Sequence, residues 1–230
     1  KSYPTWVERK YDGIRLMLHK STDARGSVLC AAYTRGRRDW MELVLGLRQT
    51  IELFGARSVI VDGELYGLVA DHEGVVRPAT VYEVYGRLQG EARRPINLKY
   101  AAFDVVYLNG HDLTSLPLTV RRQYLQALLA PLTGLPLPVP LEMAEGQLAE
   151  SKDDVNRLYH HFRAQGYEGI ITKALDGPYL LATRDPAWRK RKPEETPDLV
   201  LHAGVLADTT KDRAGVVGSA GLGLRRANGA

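Results

Sequence analysis

Cysteine is nearly missing from this chain, and it has no long hydrophobic run. Cys30 is the single cysteine, which excludes an intrachain disulfide and a thiolate zinc site and fits a reducing compartment. No apolar stretch approaches the roughly 18 residues that cross a membrane. The N-terminus begins Lys-Ser-Tyr-Pro, with neither an initiator Met nor the apolar segment of a signal peptide. We therefore expect an excised fragment of an intracellular protein with no membrane partner.

The remaining composition is that of an ordinary globular protein. The chain has 230 residues, of which 44% are hydrophobic and 25% are charged, and this describes one large domain or two smaller ones. The net charge of +4 is mild. It permits a polyanionic partner without identifying one, because many basic proteins bind no nucleic acid.

Apolar periodicity predicts a mixture of strands and helices. Alternating or continuous apolar runs predict strands over 14–19, 27–33, 58–61, 65–69, 100–108 and 169–173. Helical spacing predicts helices over 40–54, 80–90, 118–129 and 153–165. A polar loop is expected over 71–79, a Pro-rich connector over 131–140 and a linker over 194–197. The glycine-rich, β-like tail that follows is too short for a core of its own.

Lys10 is the first candidate for chemistry. It lies among alternating charges in Glu-Arg-Lys-Tyr-Asp-Gly-Ile-Arg, residues 8–15, and the Asp-Gly dipeptide favours a tight turn. A free lysine has a pKa of about 10.4 and stays protonated at neutral pH. A nucleophilic lysine therefore needs desolvation or neighbouring cations, here Arg9 and Arg15. Taken alone, the segment is more typical of a solvated surface hairpin.

Four further charged clusters follow, each at a strand end or turn, where rigid scaffolds present functional groups. They are Asp62-Gly63-Glu64, Phe103-Asp104-Val105-Val106-Tyr107, Glu168-Gly169-Ile170-Ile171-Thr172-Lys173 and Trp188-Arg189-Lys190-Arg191-Lys192-Pro193. Taken alone, each cluster also fits a purely structural role, such as a turn, a core aromatic residue or a solvated basic edge. Their order and spacing are what indicate a function.

In this order the clusters resemble the adenylation domain of ATP-dependent DNA ligases, within the covalent nucleotidyltransferase superfamily that also holds RNA ligases and mRNA capping enzymes. The family motifs K-x-D-G-x-R, D-G-E, F-D-x-x-Y, E-G-x-x-x-K and W-x-K-x-K-P begin at residues 10, 62, 103, 168 and 188. The resemblance covers nearly the whole chain. It implies an α+β nucleotidyltransferase domain of twisted antiparallel sheets with flanking helices over 1–196. The beginning of an incomplete OB-fold domain is expected over 197–230.

The resemblance also implies how ATP is used. Lys10 attacks the α-phosphorus of ATP, expels pyrophosphate and keeps AMP in a phosphoramide bond. The phosphate charge is neutralised by three lysines, Lys173, Lys190 and Lys192. The expected metal ligands are Glu64 and Glu168, because Mg²⁺, or Mn²⁺ in its place, prefers hard carboxylate oxygens.

Two residues are expected to contact the nucleoside, and a third is expected to contact either the nucleoside or the DNA. Phe103 offers a π face for stacking on adenine. Glu8, two residues before the nucleophile, is placed to accept a hydrogen bond from the adenine amino group. Arg15 resembles the family arginine that contacts either the nucleotide ribose or the DNA end.

The second substrate implied by the resemblance is nicked duplex DNA. AMP passes to the 5′-phosphate at the nick, and the adjacent 3′-hydroxyl then attacks and releases AMP. Arg35 resembles the arginine that contacts the nick 5′-phosphate, a role that suits a bidentate guanidinium. Gly36 replaces the usual Asn, and Arg37 and Arg38 follow, so which arginine reaches the phosphate stays open. Arg184 is either a DNA-backbone contact or a solvated loop residue.

Four other functions are alternatives to an ATP-dependent DNA ligase. An RNA ligase is the nearest rival, although the fifth cluster and the OB-like tail favour the DNA enzyme. A capping guanylyltransferase fits the fifth cluster less well, and nothing before Lys10 resembles the nicotinamide-recognition domain of an NAD-dependent ligase. A catalytically inactive nucleic-acid-binding module is the alternative from a different class. The presence of every expected catalytic side chain argues against it.

The final basic motif of the family's OB domain does not occur in the chain. We therefore expect slow self-adenylation and weak binding of nicked DNA, which falls steeply with salt. A monomer is expected, in a bacterial or archaeal cytoplasm or a eukaryotic nucleus. The sequence does not distinguish among DNA repair, replication and recombination.

Overall fold

A computed structural model describes residues 3–181 and 186–193, together with the backbone of 199–206 and 217–224. It divides the chain into two compact units, 1–192 and 193–230. The first four motif clusters and the fifth up to Lys192 belong to the first unit. The predicted division at residue 196 and the OB assignment of the tail stay predictions.

A seven-stranded sheet forms one half of the first unit. Its central path runs in the order β3-β2-β4-β6-β7, with β5 paired to β4 and β8 running parallel to β6. Its members are β2 (Ile14–Thr22), β3 (Val28–Thr34), β4 (Ser58–Ala70), β5 (Val76–Pro78), β6 (Ile96–Leu108), β7 (His111–Asp112) and β8 (Leu141–Met143). The long central strands β4 and β6 are rich in Val, Ile and aromatic residues, which suit a pleated, buried surface.

A four-stranded antiparallel sheet forms the other half, in the order β11-β10-β1-β9. Its members are β1 (Thr5–Lys10), β9 (Gly146–Ala149), β10 (Gly169–Ala174) and β11 (Trp188–Arg191). The Asp-Gly turn after Lys10 therefore closes no hairpin, because β1 and β2 lie in different sheets. Lys10 is the last residue of its strand, at the point where the chain passes from one sheet to the other.

Four α-helices and one 3-10 helix flank the sheets within the described part of the first unit. They are α1 (Leu47–Glu52), α2 (Val81–Leu88), α3 (Leu118–Leu129), the 3-10 helix Ala130–Leu132 and α4 (Lys152–Ala164). Thr80 and Glu83 form a capping box at the start of α2, and the Ser151 side chain caps α4. These local signals explain why the starts of both helices were predicted to within two residues.

Two large apolar clusters hold the first unit together. The larger core joins β2, β4 and β6 to α1 and α3, with Leu16, Val61 and Leu125 fully buried. The second lies between α4 and the four-stranded sheet, where Leu158 and Phe162 pack with residues of β1 and β10. Because α4 covers one face of that sheet, the opposite face is left for the candidate site.

The predicted helix over 40–54 was wrong in its first half, since α1 begins only at Leu47. The Asp39 carboxylate accepts hydrogen bonds from the backbone of Ala32 and Met41, which turns the chain back toward β3. Gly46 then adopts a φ of 84°, a left-handed conformation that a helix does not contain. The apolar spacing of this segment reflects burial in successive turns and not helical periodicity.

Other segments were missed. Strand β5 lies inside the predicted 71–79 loop, and β1, β8, β9 and β11 were not predicted as strands. In the second unit, β12 (Leu199–Leu206) and β13 (Val217–Leu224) form an antiparallel pair. This confirms the predicted β character of the tail over those two ranges.

Candidate active site

Four of the predicted residues share one face of the four-stranded sheet. Glu8 lies opposite Ile171, which in turn lies opposite Lys190. Directly paired residues of antiparallel strands project to the same face, as do residues two apart on one strand. Lys10 and Lys173 therefore lie on this face as well. It is the face turned away from α4.

Lys10, the last residue of β1, is held by a carboxylate. Its ammonium forms an ion pair with Glu168, and the Lys10 side chain is only 15% exposed. Lys192 Nζ lies 3.9 Å from the other oxygen of Glu168. The first, fourth and fifth sequence clusters therefore meet at Glu168.

The glycines of two motifs are required by close backbone contacts. A Cβ on Gly13 would lie 2.2 Å from the Leu65 carbonyl oxygen, and a Cβ on Gly169 would lie 2.1 Å from the Arg191 carbonyl oxygen. Neither position can accept a side chain without moving the backbone. The first contact brings the chain after Lys10 onto β4, and the second brings β11 beside Glu168.

The other candidate residues lie on strands β2, β4 and β6 of the seven-stranded sheet. Arg15 on β2 lies opposite Glu64 on β4, and the Arg15 guanidinium carbon is 5.5 Å from the centroid of the Phe103 ring. Asp62 is fully buried and accepts two hydrogen bonds from Arg15, at 2.9 and 2.5 Å. This bidentate pair fixes the guanidinium beside the aromatic ring.

Glu64 lies on β4, directly opposite Arg15 on β2. Burial raises the pKa of its carboxyl group to about 7, against the opposing effect of the Lys10 ammonium. Asp62 also raises this pKa, whereas Arg15 and Lys190 lower it. The pKa of Glu64 thus responds to charged groups of β1, β2 and β11, including the Lys10 ammonium.

The raised pKa of Glu64 predicts a pH-dependent stability. A carboxyl group whose pKa is higher in the folded state stabilises the fold fully below its unfolded pKa, and this contribution is lost as the pH rises through about 7. We expect Glu64→Gln to be more stable than wild type at pH 8, by up to about 3 kcal/mol. The two proteins should have equal stability near pH 4. Urea unfolding at both pH values measures the difference.

Glu83→Gln is the matched control, with the opposite sign. Hydrogen bonding to Arg77 lowers the pKa of Glu83 to about 2, so its contribution is present above the unfolded pKa and is lost in acid. The Gln variant should therefore be less stable than wild type at pH 8. Destabilisation of Glu64→Gln at pH 8 would contradict the raised pKa of Glu64.

Glu8 is buried and already has protein partners. Its Oε1 accepts hydrogen bonds from Trp6 Nε1 at 2.9 Å and from Arg122 Nη1 at 2.7 Å. Lys173 Nζ lies 2.5 Å from Oε2, in an ion pair without hydrogen-bond geometry. These contacts fix the orientation of the carboxylate, and a carboxylate oxygen has a further lone pair for a ligand. The adenine role of Glu8 stays a prediction.

Phe103 and Lys173 lie together in the interior of the site. Lys173 is fully buried, and its ammonium lies 4.8 Å from the Phe103 ring centroid and 4.0 Å from that of Trp188. Trp188 packs edge-on against Phe103. Lys173 thus has a different environment from Lys190 and Lys192, whose side chains are exposed.

Arg35, Arg37 and Arg38 lie on an exposed turn directly after β3. Thr34 at the end of β3 pairs with Leu16, next to Arg15, so the turn lies at the same end of the sheet as Arg15. Among the residues that the structure describes, these three arginines form no ion pair. Arg184 lies outside the described residues, and its role as a DNA-backbone contact stays a prediction.

Sequence reasoning missed three residues that contact the predicted site. Arg122 binds Glu8, Tyr179 binds Asp62, and Arg121 binds the carboxylate of Asp104 next to Phe103. The two arginines come from α3, which has no motif. Only Tyr179, nine residues before Trp188, lies near a recognised cluster.

The described residues contain neither a ready-made metal cluster nor a membrane-spanning helix. No group of three or more His, Cys, Asp or Glu in this part of the chain is arranged to hold a metal. No described helix is both long and apolar enough to span a membrane. Because Mg²⁺ is commonly held by one or two carboxylates together with substrate phosphates, Glu64 and Glu168 remain suitable donors.

The two sheets and the lysine at their junction define a nucleotidyltransferase domain. The family model "ATP dependent DNA ligase domain" matches residues 1–192. The chain belongs to this family, which confirms the fold class and the resemblance predicted from the sequence.

Two curated relatives share about a third of their aligned residues with the chain. A "Probable DNA ligase" of Streptomyces avermitilis is 32% identical over 232 residues, covering 97% of this chain and 41% of the relative. A "DNA ligase" of Methanosphaerula palustris is 33% identical over 201 residues, covering 85% of this chain and 33% of the relative. The chain thus spans less than half the length of these relatives.

Solved structures agree in fold. The "mycobacterial DNA ligase D complexed with ATP and MES" aligns at a TM-score of 0.59 with 25% identity, over 86% of this chain and 57% of that one. The ATP complex of the bacteriophage T7 ligase aligns at 0.55 with 18% identity, over 99% and 73%. The second likeness concerns the fold alone.

Proposed function

We propose that the chain carries the catalytic site of an ATP-dependent DNA ligase and that Lys10 bonds covalently to AMP. The observation that carries the proposal is the position of Lys10, which ends β1 at the junction of the sheets with Glu168 paired to it and Glu64 nearby. Membership of the ATP-dependent ligase family and the names of the relatives support the same activity. The sealing of nicked duplex DNA is the proposed reaction of the complete protein.

The Lys10 amine must lose its proton before it can attack the α-phosphorus of ATP. In the structure its ammonium is paired with Glu168. Attack therefore requires Glu168 to release the amine. A divalent cation, when bound, supplies a competing positive charge for Glu64 and Glu168, whose oxygens suit Mg²⁺ or Mn²⁺.

The other residues divide into phosphate and nucleoside contacts. Lys190 and Lys192 lie at an exposed strand end and can stabilise the charge on the phosphates as pyrophosphate leaves. Buried Lys173 acts from the interior, beside Glu8 and Phe103. Glu8 and Phe103 are proposed to bind adenine through a hydrogen bond and ring stacking.

The arginines after β3 are proposed to bind the nick, and Arg15, at the same end of the large sheet, is proposed to contact the bound nucleotide. Their positions at one end of the large sheet would let a duplex end approach Lys10 along that edge, where guanidinium groups can bind the 5′-phosphate. AMP passes from Lys10 to this phosphate, and the 3′-hydroxyl of the nick then displaces AMP. The proposed cellular roles are repair, replication or recombination of DNA.

Removal of Glu168 tests the metal role. We expect Glu168→Ala to lower Mg²⁺-dependent self-adenylation on the order of 100-fold, because a charge-stabilising group near the reacting phosphate is lost. The variant should still fold, since the Glu168 side chain is partly exposed. Labelling by α-labelled ATP across a Mg²⁺ titration measures the effect, with exposed Glu91→Gln as the control. An unchanged titration would reject the metal role.

Substrate competition tests the function itself. The chain should take label from ATP but not from GTP or NAD⁺, and it should transfer AMP to a nick in DNA in preference to the same nick in RNA. Binding of DNA should weaken as salt rises. Preference for the RNA nick would indicate an RNA ligase. Salt-sensitive DNA binding without any labelling would indicate a binding module.

A further inference from the structure

A buried hydroxyl group completes the set of contacts that holds Arg15. Tyr179 is only 7% exposed. Its hydroxyl donates a hydrogen bond to Asp62 Oδ2 at 2.7 Å and accepts one from Arg15 Nη2 at 3.0 Å. Asp62 in turn accepts from Nε and Nη2 of Arg15. The three side chains therefore form a closed triangle.

The triangle leaves one end of the guanidinium for a ligand. One Nη2 proton goes to Asp62 and the other to Tyr179, while Nε–H goes to Asp62. Among the described residues, Nη1 of Arg15 has no hydrogen-bond partner. Since the Arg15 side chain is 44% exposed, Nη1 is the group that can reach a substrate oxygen.

Tyr179 is itself fixed by rigid parts of the fold. Its backbone N–H donates to the Thr114 carbonyl at 2.8 Å. Two residues earlier, the Gly177 carbonyl accepts from Arg121 Nη1 at 3.0 Å. Arg121 is in turn paired with buried Asp104. The hydroxyl therefore has a defined position relative to Asp62, set by contacts to the start of α3.

We propose that Tyr179 is a positioning residue for nucleotide transfer, whose hydroxyl fixes the Arg15 guanidinium so that Nη1 meets an oxygen of the bound nucleotide. This inference rests on the proposed ligase function. Without the hydroxyl, Arg15 keeps its contacts to Asp62, but one Nη2 proton loses its partner. The guanidinium can then rotate away from the orientation that the substrate requires.

Tyr179→Phe removes this hydroxyl and leaves the ring against Trp188. In ¹⁵N-edited spectra of the full chain, we expect the Arg15 Nε–H signal to shift and exchange faster in this variant. The exposed Tyr124→Phe on α3 is the control and should leave the signal unchanged. An Arg15 signal that does not move in Tyr179→Phe would overturn the positioning role, and this measurement requires no catalytic activity.

A double-mutant cycle tests the consequence for the reaction. Tyr179→Phe should lower kcat/KM for labelling of Lys10 by ATP about tenfold, with no further loss when Arg15 is already Lys. An equal loss in both backgrounds would overturn the inference, because it would show an effect independent of Arg15. If wild type takes no label, the ligase proposal fails, and the Arg15 signal alone decides whether Tyr179 holds the guanidinium.

Discussion

Replacement of Lys10 by alanine is expected to abolish covalent labelling of the chain by α-labelled ATP. The other groups near the α-phosphate can stabilise charge, but a phosphoramide bond requires an amine at the end of β1. Lys192, whose side chain is 66% exposed and whose Nζ lies 3.9 Å from the second Glu168 oxygen, is expected to stabilise phosphate charge and not to replace the nucleophile. Denaturing gel electrophoresis after incubation with Mg²⁺ and labelled ATP measures the bond directly.

Lys152→Ala is the matched control, since Lys152 is an exposed lysine at the start of α4. It should label like wild type. Circular dichroism should show that both variants fold. Retention of label in Lys10→Ala would mean that another residue is the nucleophile, and the roles assigned to Glu64 and Glu168 around Lys10 would fall with it.

Replacement of Arg121 by leucine is expected to have the largest effect on stability. Arg121 and Asp104 form a fully buried bidentate ion pair, at 2.8 and 2.9 Å. Removal of the cation leaves an unpaired buried carboxylate, which typically costs about 3–5 kcal/mol. It also frees the Gly177 carbonyl, which Arg121 holds. Urea unfolding at pH 7 measures the loss.

Two further variants test this explanation. Arg157→Leu removes a surface ion pair with Asp154 and should cost less than about 1 kcal/mol. The double variant Arg121→Leu with Asp104→Leu should recover part of the stability, because no charge then remains buried. A double variant as unstable as the sum of the single ones would show that packing, and not the unpaired charge, explains the loss.

The residues of the candidate site could be named because they occur in short motifs whose chemistry is local. Lys10, Glu64, Phe103 and Glu168 were all named from the sequence. In the structure Lys10 contacts Glu168. The charge of Lys10 also lowers the pKa of Glu64. Each motif also contains a glycine or strand pattern that fixes the backbone around its functional side chain.

The supporting residues could not be predicted, because their partners are distant in sequence. Arg122 is 114 positions from Glu8, and Tyr179 is 117 positions from Asp62. Helix periodicity placed Arg121 within α3 but could not show that its charge is buried against β6. In the same way, apolar spacing between 40 and 46 could not distinguish a helix from buried turns.

Localisation of the nucleotide tests the central claim most directly. After incubation of the wild-type chain with ATP and Mg²⁺, neutral-pH digestion and tandem mass spectrometry should find one AMP attached to the peptide that contains Lys10. The modification should disappear when pyrophosphate is added, since the attack is reversible. AMP on another residue, or no covalent AMP in a folded chain, would contradict the account.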